Sequence, residues 1–180
     1  DRPKGIEAVK RVVEHLQKGH RKSLIVMATG TGKTRVAMAI IKILMEKGVV
    51  QKVLFLADRK ALRDQAFNKG YKVFFPEESK DKIFSGNYDK SKRLYVSTIQ
   101  TLQEIYLDKD TNGQFRLSPG EFDLIISDEA HRSIYNKWKG VFTYFDAIQI
   151  GLTATPSEII DRDTFRFFEC REGSPTALYS

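Results

Sequence analysis

One stretch constrains the fold more than any other. A short apolar run, Ser23-Leu24-Ile25-Val26-Met27-Ala28, leads into Thr29-Gly30-Thr31-Gly32-Lys33-Thr34. Beyond Lys33, the residues Val36, Ala37, Ile40, Ile41 and Leu44 recur with helical spacing, and Gly48 suits a helix stop. Buried strand, Gly-rich turn, helix is an arrangement that holds phosphate. Gly30 and Gly32 let the backbone approach an anion closely, and the helix N-terminus supplies N–H groups and a favourable dipole. Lys33 can reach the β- and γ-phosphates of a nucleotide, and the Thr34 hydroxyl can bind Mg²⁺. The strict form of this motif begins with Gly, where this chain has Met27.

A second feature lies far along the chain. Phe122 to Ile126 is apolar except for Asp123, and Ser127 then precedes Asp128-Glu129-Ala130-His131. An apolar strand here would put two carboxylates just past its carboxyl end, where open α/β sheets bind ligands. One carboxylate can hold Mg²⁺ while the other orients or deprotonates a water. Taken alone, the pair would equally suit an Asp cap and an acidic first turn of the next helix. Behind a phosphate loop, nucleotide hydrolysis is the better reading.

The rest of the chain alternates between strands and helices. The patterns predict an amphipathic helix over 5–18, with Ile6, Val9, Val13 and Leu16 on one face. Strands follow near 23–28, 52–57, 93–97, 122–127 and 148–153. Helices fall near 33–47, 60–68 and 99–107, and over part of 131–145. Such alternation argues for a parallel sheet covered on both faces. Asp58 is the expected N-cap of the 60–68 helix. Pro76 to Arg93 and Asp108 to Gly120 read as loops, and Cys170 to Ser180 as a frayed end. Asp108-Lys-Asp-Thr-Asn-Gly113 imitates the start of a calcium loop, but the position that needs Glu is Pro119, so a hairpin is expected.

Composition narrows the class. The 180 residues suit one domain, and 41% are hydrophobic, enough for a real core. Without a secretory apolar segment or a long apolar span, a cytoplasmic chain with no membrane contact is expected. The single Cys170 excludes an internal disulfide and a Cys-based zinc site. His15 and His20 are expected at the surface, around the end of the first helix. Residues 1–60 hold 14 Lys/Arg against 5 Asp/Glu, so most of the excess positive charge surrounds the phosphate loop. A phosphate-bearing partner fits that bias, as does a solvated basic face.

With these motifs in order, the chain resembles a superfamily 2 helicase motor domain of the DEAH-box kind. Ala28 to Thr34 matches the first motif, which in these motors usually starts with Ala. Phe55-Leu-Ala-Asp-Arg59 with Gln65-Ala66, Val96-Ser-Thr-Ile-Gln100, Asp128-Glu-Ala-His131 and Gly151-Leu-Thr-Ala-Thr-Pro156 resemble the following four. Ala57-Asp-Arg59, His131-Arg-Ser-Ile-Tyr135, Tyr144-Phe-Asp-Ala147 and Asp161-Arg-Asp-Thr-Phe165 are most similar to the motor (R) subunit of type I restriction enzymes. Type III restriction subunits and DNA-repair helicases share the general motifs.

The resemblance implies a RecA-like P-loop NTPase fold over 1–180, the first lobe of a two-lobe ATPase that moves along double-stranded DNA. It implies ATP binding by Thr29, Gly30, Thr31, Gly32, Lys33 and Thr34, and Mg²⁺ held by Thr34 and Asp128. Glu129 would position water, making Lys33, Asp128 and Glu129 the catalytic set. His131, Thr153 and Thr155 would couple nucleotide state to movement, and Arg59, Thr98 and Gln100 would line the DNA path. A second motor lobe, a nuclease domain, and modification and specificity subunits would be partners, and the chain reads as a piece of a larger subunit. The pattern departs at Gly5, where these motors usually carry the Gln that reads adenine. A nucleotide-binding module without turnover and a small-molecule P-loop kinase are the competing classes. The Thr-Ala-Thr and DEAH segments disfavour the kinase.

Overall fold

The computed structural model describes residues 2–27, 32–129 and 139–179. In chain order the elements are α1 (Arg2–Gln17), β1 (Lys22–Met27), α2 (Lys33–Glu46), β2 (Val53–Ala57), α3 (Lys60–Gln65), β3 (Lys80–Lys82), β4 (Leu94–Thr98), α4 (Ile99–Ile105), β5 (Leu124–Asp128), α5 (Lys139–Tyr144), β6 (Ile148–Thr153), α6 (Arg162–Phe167) and β7 (Ala177–Tyr179). The strands form one sheet in the order β3-β4-β2-β5-β6-β1-β7, and every pairing is parallel. This is the predicted α/β architecture.

Strand alternation divides the core in two. Ile25, Met27, Val53, Phe55, Val96, Ile126 and Leu152 point to the face covered by α1 and α2. Leu24, Val26, Leu54, Leu56, Tyr95 and Ile125 point to the face that holds Ile99, Leu102, Val141, Phe142 and Phe165 of α4, α5 and α6. Because the inner strands are buried on both sides, they read as continuous apolar runs rather than alternating ones. Among the described residues no helix is long and apolar enough to cross a membrane.

Several expectations need correction. The buried face of α1 centres on Ala8, Val9 and Val12, with Val13 and Leu16 partly buried, whereas Ile6 is 67% exposed. A small residue, Ala8, takes the closest approach, so the large apolar residues alone misplace the face. The stretch 76–93 is not all loop. It contains β3, whose Lys-Asp-Lys sequence suits a half-exposed sheet edge and carries no apolar pattern. The supposed frayed end contains β7, which pairs with β1 at the opposite edge. The N-cap position of α3 is Arg59, not Asp58, and the Arg59 side chain makes no cap hydrogen bond. α3 itself continues past residue 68 as a π-helical turn, Ala66–Tyr71, and a last α turn, Lys72–Phe74.

Other readings hold. At Gly48, φ is +72°, and the Val49 N–H returns to the Leu44 carbonyl at 2.9 Å, a left-handed helix stop. Within 108–120, Lys109 bridges Phe115 in antiparallel fashion and Asp110 Oδ1 accepts the Asn112 and Gln114 N–H groups. That carboxylate is stitching a tight turn.

Candidate active site

The carboxyl ends of the parallel strands form one rim. Side by side in the sheet, β5, β6 and β1 end at Asp128, Thr153 and Met27. On the other side of β5, β2 and β4 end at Ala57 and Thr98. After β1 the described residues resume at Gly32, the N-cap position of α2. The start of this 14-residue helix faces the rim, and a helix N-terminus offers backbone donors to an anion.

Lys33 opens α2 and turns back over the rim. Its Nζ lies 3.0 Å from Asp128 Oδ1 and 3.0 Å from Glu129 Oε1. Asp128 Oδ1 also accepts the Glu129 N–H at 2.9 Å. Lys33 and Asp128 are 9% and 8% exposed, so the contact is made largely out of water. Burial on its own depresses the ammonium. The Asp128 charge and hydrogen bond, with those of Glu129, outweigh it and hold Lys33 above its ordinary value.

The backbone explains how adjacent carboxylates reach one cation. Successive strand residues face opposite ways, but Glu129 leaves β5 at φ +52°. That left-handed conformation is unfavourable for a residue other than glycine, and such strain clusters at functional sites. Asp128 belongs to the strand, with its carboxylate turned to Lys33.

The neighbouring motif residues fall around this centre. Thr153 is fully buried beside β1, in register with Val26, and its hydroxyl accepts the Thr155 N–H at 3.0 Å. Thr98 is the N-cap of α4, 5% exposed, and accepts the Thr101 N–H at 3.1 Å. Its side chain therefore holds the loop and presents little surface. Arg59 and Gln100 are exposed on the same rim. Thr29, Gly30, Thr31 and His131 lie outside the described residues.

Sequence reasoning missed Gly70. It sits in the π-helical turn and faces α2, where an added Cβ would come 2.9 Å from Met38 Cε and 3.4 Å from Thr34 Cγ2. π-turns are rare and mark functional segments. A glycine two residues past the predicted 60–68 helix was the available signal.

The family described as type III restriction enzyme, res subunit, matches residues 1–158. The chain belongs to that family. Its relatives include the EcoAI type I restriction enzyme endonuclease subunit of Escherichia coli, 33% identical over 97% of this chain and 21% of the relative. A solved fragment described as an HsdR subunit of a type I restriction enzyme from Vibrio vulnificus YJ016 is 32% identical. It superposes with a TM-score of 0.71 over 98% of this chain and 30% of the other. The Hef helicase domain of Pyrococcus furiosus is 26% identical, with a TM-score of 0.66 over 96% of this chain and 37% of that one. The res-family chain is thus a helicase-type motor domain with a RecA-like fold, related to type I HsdR subunits as its motifs suggested. It spans about a fifth of the length of the EcoAI relative.

The departure at Gly5 gives a direct expectation. Gly5 lies beside the start of α2, where an added Cβ would come 3.9 Å from Val36 Cγ2, and it brings no amide to a base. ATP and GTP should therefore bind this chain within about tenfold of each other, or 1.4 kcal/mol, as read by calorimetry. A clear ATP preference would show that another group reads the base.

Proposed function

We propose that this chain is the ATP-binding first motor lobe of a type I restriction enzyme R subunit, which couples Mg²⁺-ATP hydrolysis to translocation on double-stranded DNA. The carrying observation is the buried convergence of Lys33, Asp128 and Glu129 beside the start of α2. A phosphate-binding cation and two carboxylates meeting at one point suit phosphoryl transfer to water.

The donors fit magnesium nucleotide. Thr34 and Asp128 would hold Mg²⁺, and Thr29 to Thr34 would cradle the phosphates. Magnesium, when bound, neutralises charge on the phosphate oxygens. Lys33 exchanges its carboxylate partners for phosphate, which frees Glu129 to accept a hydrogen bond from water and orient it. Thr153 and Thr155, at the end of β6 and just beyond it, would register that exchange, together with His131. Arg59 and Gln100 present exposed polar groups to DNA, and Thr98 holds its loop in place.

Transition-state charge on a phosphoryl group takes cations on several sides, and an arginine finger supplies about 10³–10⁵ in rate. A second lobe would bring that arginine. A nuclease domain, and modification and specificity subunits, would complete the cytoplasmic assembly. Steady-state phosphate release tests this reading. The 180-residue chain should show almost no turnover with or without duplex DNA, and joining a second lobe should make turnover DNA-stimulated. Robust turnover by the chain alone would overturn the one-lobe reading.

A further inference from the structure

A second cluster lies away from the strand-end rim, where α1 ends and β1 begins. His15 stands in the last turn of α1 and His20 in the turn that follows. Their rings stack with centroids 4.0 Å apart and planes 8° from parallel. Glu169 arrives from the far end of the chain, just past α6. Its Oε2 lies 3.3 Å from His20 Nδ1 and accepts the Arg21 N–H at 3.0 Å.

Two details set this cluster apart from an ordinary surface contact. Glu169 adopts φ +57°, in a helix stop where the Cys170 N–H returns to the Phe165 carbonyl at 2.9 Å. Glycine usually takes that position, so a carboxylate is kept there despite the backbone penalty. His15 Nε2 is buried with no hydrogen-bond partner. Buried polar atoms are almost always satisfied. An imidazole nitrogen left without a partner in this way can serve as a metal ligand.

We propose that His15, His20 and Glu169 form a binding site for a divalent transition ion of the zinc type. Each offers a ligand atom within 4.8 Å of the other two. A point within about 2.8 Å of all three atoms therefore exists, against ~2.1 Å for a zinc–nitrogen bond. Closing the difference requires one of the stacked rings to turn, and both histidine positions flank a turn. Two imidazoles and a carboxylate suit zinc and leave a fourth position to water. A bound ion would tie the ends of α1 and α6 to the entry of β1, and so steady the β7 edge. Lys18 and Arg11 line the same cleft and oppose a cation, whereas Glu7 and Glu14 favour one.

The test uses the metal-free 180-residue chain without nucleotide, which would itself chelate zinc. Zinc should bind one per chain by calorimetry and raise the melting temperature. Co²⁺ should give the visible absorption of a tetrahedral site. H20N and E169Q, both at exposed side chains, should keep the circular dichroism of the parent chain while weakening zinc about tenfold or more, 1.4 kcal/mol. H15Q should do the same, and if it does not fold the two exposed variants decide. Absence of cobalt absorption and of a zinc-dependent melting shift in the parent chain would overturn the site. So would zinc affinity in H20N and E169Q equal to that of the parent chain.

Discussion

Glu129→Gln should abolish DNA-stimulated ATP hydrolysis in a chain extended by its second lobe, while magnesium nucleotide still binds. The substitution keeps the size of the side chain and its capacity to accept from Lys33, which lies 3.0 Å away, but removes the carboxylate proposed to orient and deprotonate water. General-base contributions run to about 10²–10⁴ in rate, so kcat should fall by that factor with little change in nucleotide affinity. Single-turnover phosphate release and calorimetry on the same preparation separate the two effects. Retained turnover would move the base to another residue.

Lys33→Met should act on both binding and stability. It removes the cation shared by Asp128 and Glu129 and leaves two carboxylates unpaired at a site where Asp128 is 8% exposed. Breaking a buried pair in this way costs about 3 kcal/mol. Magnesium nucleotide affinity should fall by about 100-fold, or 2.7 kcal/mol, since a charge-assisted phosphate contact is lost. Because the Lys33 ammonium is held above its ordinary value in the folded chain, its stabilising effect is fully present below the unfolded lysine value of about 10.4 and disappears only as pH rises through the folded one. The gap in melting temperature between parent and variant should therefore be constant from neutral pH to about pH 10 and close above it. A gap that closes below pH 9 would mean that Lys33 is not paired as seen. Unchanged nucleotide affinity would displace the phosphate site.

Much of this was legible in the chain because the chemistry sits on regular structure. The inner strands are apolar throughout, so their positions could be read within a residue or two. The phosphate loop and acidic pair are defined by neighbours in sequence, and the sheet then aligns their strands. The two edge strands were not legible. Lys80-Asp-Lys82 has no apolar pattern, and the tail before β7 is short and mixed. Their order comes from pairing with β4 and β1, which no local signal reports. The meeting of Lys33 with both carboxylates depends on the left-handed Glu129, and sequence alone does not announce that conformation. His15 and His20 read as surface residues because Glu169, which joins them, lies 149 positions beyond His20 and is brought back by the sheet.

The π-helical turn that continues α3 has a mechanical implication. One end of this rod begins at Arg59, on the side proposed for DNA, and its flank at Gly70 meets Thr34, on the side proposed for magnesium. A π-turn holds one residue more than an α-turn over the same span. Were residues 66–71 to rewind as ordinary helix, their side chains would rotate past α2 and a bulkier neighbour would replace the bare Gly70 hydrogens against Met38 and Thr34. The clearance beside Thr34, the residue proposed to hold magnesium, is thus set by how residues 66–71 are wound.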